Sequence, residues 1–122
     1  MTLTKSQVSM QSTEAKQSAL HFNLGAPANG TYTFVLSEDH SGTVDTIIAK
    51  TASGTATLEI RIDNVPIVVS GGGSTMSITS TENSKATSSA NAYGSGATLT
   101  AVITSSSSPV DLAVTVKRTR TA

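Results

Sequence analysis

The chain has 122 residues, eight basic and eight acidic side chains, a formal net charge of zero and no cysteine. That length holds one domain with one core. The missing thiols exclude disulfides and thiolate metal sites, the balanced charge argues against a nucleic-acid partner, and no apolar run approaches the roughly 20 residues of a membrane helix.

Only 37% of residues are hydrophobic and 3% aromatic, while about a third are Ser or Thr. The core must therefore come from Val, Ile, Leu and Ala. A core that thin gains from burial in an oligomer or against a docking partner.

Residues 1–18 are rich in Ser, Thr, Gln and Lys, with isolated Leu3, Val8 and Met10. This composition predicts an extended N-terminal arm, either packed on its own domain or laid on a neighbouring subunit. It has no apolar stretch of the signal-peptide kind, which predicts a protein that stays in the cytoplasm where it is made or joins a particle assembled there.

From residue 19 to 122 the period is two, the signature of strands with one buried face. Leu20, Phe22 and Leu24 alternate with His21 and Asn23. Pro27-Ala28-Asn29-Gly30 supplies hairpin-turn chemistry, and Tyr32, Phe34 and Leu36 are the expected inward set of the next strand. Ser37–Gly42 reads as a polar loop, and 44–50 as a strand with broken alternation around Ile47 and Ile48. Residues 55–63 carry the clearest signal, with Ala56, Leu58, Ile60 and Ile62 on one face.

Asp63-Asn64 reads as a tight turn, and Pro66 makes the following strand either an edge or one that starts after the Pro. Gly71-Gly72-Gly73 is a loop, and Met76 and Ile78 face inward from the next strand. Residues 85–92 show a small inward set of Ala86, Ser88 and Ala90, broken by Tyr93-Gly94-Ser95-Gly96. Leu99, Ala101 and Ile103 share a face, Ser105–Pro109 reads as a flexible loop, and Val110, Leu112, Val114 and Val116 form the last strand before a solvated Lys117-Arg118-Thr119-Arg120 end. Eight or nine short strands at 8–12-residue spacing without a helix predict an all-β antiparallel sandwich, jelly-roll-like with about eight strands.

No constellation predicts catalysis, and no catalytic, cofactor-binding or metal-ligating residue is assigned. His40, beside Glu38 and Asp39, reads as part of a solvated loop; His21 faces solvent or a neighbour. The glycine run lacks the Lys-Ser/Thr of a phosphate loop, and Gly94-Ser95-Gly96 is not a nucleophile elbow. Asn29-Gly30-Thr31 has the form of a glycosylation acceptor but reads better as a turn. The eight carboxylates (Glu14, Glu38, Asp39, Asp45, Glu59, Asp63, Glu82, Asp111) lack the aromatic platforms of a glycosidase cleft.

The segments GTVDTIIAKTASGTATLEIRIDNVPI (42–67) and GSGATLTAVITSSSSPVDLAVTV (94–116) resemble small β-sandwich domains of tailed-bacteriophage virion proteins. The resemblance spans about residues 30–117 and rests on a strand leading to an Ile-Asp-Asn turn and on two closing strands. It implies a non-enzymatic virion part (capsid decoration, head fibre or tail component) present in multiple copies, trimeric by preference, assembling through its arm and sandwich sides with capsid or tail proteins. It transfers no functional residue. An adhesion module that binds host-surface glycan through Ser37–Gly42 and Ser105–Pro109 is the alternative, weakened by the lack of aromatic residues in those loops.

Overall fold

The computed structural model describes residues 17–120. The expected arm thus lies outside the described residues except for Gln17 and Ser18, which open the first strand. The described residues form eleven strands and no helix: β1 (Gln17–Asn23), β2 (Gly30–Val35), β3 (Gly42–Lys50), β4 (Ser53–Ile62), β5 (Val65–Pro66), β6 (Val68–Val69), β7 (Thr75–Ile78), β8 (Asn83–Ser89), β9 (Ala92–Tyr93), β10 (Leu99–Val110) and β11 (Ala113–Arg120).

One sheet has the order β1-β11-β3-β8-β6, with β9 on β3. The other has β2-β10-β4-β5, with β7 on β4. All pairings are antiparallel. Reduced to its eight principal strands, the molecule interleaves β1-β11-β3-β8 with β2-β10-β4-β7, the two-sheet pattern of a jelly roll.

The core is aliphatic. β4 gives Ala56, Leu58, Ile60 and Ile62; β10 gives Leu99, Ala101 and Ile103; β11 gives Val114 and Val116, with Leu112 just before it. Burying each Val, Leu or Ile contributes roughly 1.5–3 kcal/mol. The period-two reading of β4 therefore describes the observed core row. The Asp63-Asn64 turn also forms, with both residues at positive φ (49° and 68°), as a two-residue hairpin between twisted strands requires.

Bulges account for most departures from simple alternation. In β3 the register against β11 shifts between Val44 and Thr46, so Val44 and Ile47 both face inward, which explains the broken pattern there. In β2 the register against β10 shifts at Phe34. Val35 then takes the position opposite Leu99, and Leu36 is 79% exposed rather than inward.

Four further expectations are corrected. Asn29-Gly30 does not close a hairpin, because β1 and β2 belong to different sheets; Asn29 Oδ1 instead accepts the Ser106 amide at 2.9 Å. In β8 the row opposite inward Ile47 and Ala49 is Lys85 and Asn83, and Ala86, Ser88 and Ala90 are exposed. Val110 is exposed and ends β10 rather than opening the last strand. Ser105–Pro109 is part of β10, bent by two register shifts with Ser105 and Ser108 at positive φ.

That bend rests on Gly54, at φ 74°, where an added Cβ would overlap the Ser108 carbonyl. Gly71 also has positive φ, 90°, but open space around it. Gly54→Ala is expected to cost roughly 2–4 kcal/mol, from left-handed strain plus overlap with backbone. Gly71→Ala should cost only about 1 kcal/mol. Urea unfolding midpoints of the two variants measure the difference.

Candidate functional site

From Leu112, just before β11, the alternation runs through Val114 and Val116 to Arg118 and Arg120 along one row. The register of β11 pairs Val114 with Ala49, Val116 with Ile47, Arg118 with Val44 and Arg120 with Gly42. All four β3 partners are buried, and directly paired residues of antiparallel strands share a face. Two arginines therefore occupy positions that continue the core row toward one end of the sandwich. The expectation that residues 117–120 end in water holds for exposed Lys117 but not for Arg118, whose side chain is 18% exposed.

Arg118 finds its counter-charge in Glu38, which is 6% exposed and accepts from Nη1. Arg118 Nε donates to Ser18 Oγ at 3.2 Å, and its guanidinium carbon lies 5.7 Å from the Tyr93 ring centroid, in cation–π range. Glu38 is held by its backbone: its amide donates to Ala97 O at 2.9 Å and its carbonyl accepts from Gly96 N at 2.7 Å. Thr98 Oγ1 adds a bond to Leu36 O at 2.8 Å. The segment read from sequence as a free polar loop is thus fastened to the stretch 94–98 at both backbone groups of its acidic residue.

These groups surround a depression of about 400 Å³ between the two sheets. Leu20 and Phe34 form its apolar wall, with Phe34 stacked on Phe22 at 4.5 Å between centroids. Ser18, Ser37, Asp39, His40, Tyr93 and Arg120 supply the polar lining. Burial raises the Tyr93 phenol above its ordinary value, against the opposing pull of Arg118. Arg120 Nε is shielded from solvent and has no hydrogen-bond partner among the described residues. Such an orphaned buried donor costs about 1–3 kcal/mol, more when it belongs to a charged group.

His40 reaches this rim and is exposed; His21 lies elsewhere, exposed, 2.8 Å from Thr115 Oγ1. The glycine run is a turn with all three residues at positive φ. Among the remaining carboxylates, Asp45 accepts from Thr119 Oγ1 at 2.6 Å, Glu59 pairs with Arg61 at 2.5 Å and Asp63 caps the Thr98 amide at 3.0 Å; Glu14 lies outside the described residues. Among the described residues no three His, Cys, Asp or Glu side chains converge. The arrangement can hold and orient a polar ligand by charge and hydrogen bonds.

Sequence reading missed Arg118, Arg120 and Tyr93 as parts of one site. The signal available was the unbroken alternation from Leu112 to Arg120.

Glu38→Gln leaves Arg118 without its counter-charge and should lower stability by about 2 kcal/mol, less than a fully buried pair because Arg118 retains some solvent; chemical denaturation at neutral pH measures it. For Tyr93 the sign follows from its raised value: between the ordinary phenol value of about 10 and the higher folded one, the unfolded chain ionises and the folded chain does not. Stability therefore falls as pH rises through that interval, and Tyr93→Phe should flatten the fall. Absorbance titration at alkaline pH, read beside unfolding midpoints, checks both.

Compared with known proteins, the chain matches no family model and no curated protein.

Proposed function

We propose that the chain is a non-enzymatic structural subunit of a tailed-phage virion, a capsid decoration, head fibre or tail component, that assembles in multiple copies. One observation carries the assembly part of this reading. β1 and β2, the outer strands of the two sheets, lie on the same flank, and neither has a second strand partner among the described residues. Three of the four aromatic side chains, Phe22, Tyr32 and Phe34, sit on these two strands, only partly buried. Leu36 projects from the end of the flank, 79% exposed.

Unpaired edges beside aromatic surface invite pairing with another chain unless they are covered. The occupant we propose is a second copy. Residues 1–16 precede β1 in sequence, and a chain of that length reaches at most about 58 Å when extended, well beyond the seven residues of β1. A ring of such contacts closes as a cyclic oligomer, a trimer in our reading. The virion setting rests on the resemblance of 42–67 and 94–116.

Light scattering on the purified full chain should give the mass of a trimer or larger assembly. Leu36→Arg should shift that mass toward the monomer while leaving the strand content seen by circular dichroism unchanged, since Leu36 is 79% exposed and contributes little to the core. A monomer at all accessible concentrations would sink the assembly reading.

A further inference from the structure

We infer that the open end of the sandwich is a binding site for a carboxylate-bearing sugar, with Arg120 as the group that takes the carboxylate. The inference does not require the assembly reading, although Phe34 belongs to both surfaces, and rests on the chemistry of the depression.

Arg120 occupies a core-row position, opposite buried Gly42. Its neighbour on that row, Arg118, is already satisfied by Glu38 and Ser18. Arg120 has no ion-pair partner among the described residues, and its Nε is shielded without an acceptor. A guanidinium presents Nε and Nη as a planar fork that matches the two oxygens of a carboxylate. The shielded Nε is out of a ligand's reach, so a carboxylate in the depression would pair with the outer Nη groups of this half-buried side chain.

The rest of the lining selects the body of the ligand. Ser18, Ser37, His40 and Tyr93 offer groups that can donate or accept, and Asp39 is an acceptor on the exposed rim. Sugar hydroxyls need such a mixture. Phe34 and Leu20 give an apolar wall for the C–H face of a pyranose. A bare anion would use neither the wall nor the acceptors. About 400 Å³ is at the small end of ligand pockets and fits one or two sugar units rather than a peptide strand. The aromatic groups absent from the 37–42 loop are thus supplied by β2 and β9.

The test uses the isotope-labelled full chain and amide NMR, with D-glucuronate as probe. Saturable shifts confined to residues 37–40, 93 and 118–120, at millimolar affinity, are expected. Glucose, which lacks the carboxylate, should bind at least about tenfold more weakly, the loss expected for one charge-assisted contact, and acetate, which lacks the ring and its contacts with the wall, should also bind more weakly. Arg120→Gln should abolish the glucuronate shifts while leaving the rest of the spectrum intact, and Lys85→Gln, on a distant strand, should leave them unchanged. The inference is overturned by no saturable shift up to about 50 mM glucuronate, by acetate or inorganic phosphate binding as well as glucuronate, or by undiminished binding to a folded Arg120→Gln protein.

Discussion

Glu38 and Arg118 meet where the apolar core stops. Two sheets of a sandwich bury aliphatic rows between them, and at an open end those rows would meet water. Here the last inward positions of β11 carry guanidinium groups instead of methyl groups, and one of them is neutralised by a carboxylate whose own backbone is bonded on both sides to the 94–98 segment. Taking a charge out of water is costly unless a partner and further hydrogen bonds compensate. Ser18 and the Tyr93 ring complete that compensation for Arg118. The position of the β2–β3 loop, the burial of Tyr93 and the shape of the depression all depend on this contact. Gly42 takes part as well, since a Cβ there would overlap the Tyr93 hydroxyl and the Thr119 carbonyl.

The opposite end is closed by geometry rather than charge. The Thr51 amide bonds Thr79 O at 2.9 Å and the Ala52 amide bonds Val110 O at 2.8 Å, tying the β3–β4 corner to both neighbouring corners. Thr51 Oγ1 holds Gly54 O at 2.9 Å. Backbone satisfies backbone there, and the side chains of Lys50, Ser53, Thr81 and Glu82 are left in solvent.

Much of the architecture was legible in the sequence, and the failures have specific causes. Rows of large aliphatic residues, as in β4, identify their inward face because each carries a large transfer free energy. The row Ala86-Ser88-Ala90 does not, since one methyl group or hydroxyl gains too little from burial to decide a face. There the register with β3 decided it, and Thr87 is accommodated by bonding Val44 O. Bulges are invisible to a period-two reading, so Leu36 was assigned inward although the shift at Phe34 turns it out. The site was the least legible part. Arg118 and Arg120 continue a core row, but charge at a chain end suggests solvent, and the partner Glu38 lies eighty residues away in sequence.

The sheet order has a consequence for how the molecule is made. The last strand, β11, lies between the first and the third, β1 and β3. Until residues 113–120 have left the ribosome, β1 has no partner and β3 lacks one of its two principal neighbours. Nearly every other connection also crosses between sheets, so contacts join residues far apart in sequence. Chains of this kind fold slowly, because loop closure must precede the reward of pairing. Folding of this domain therefore waits for β11, and until then the exposed strands are a period of risk for aggregation.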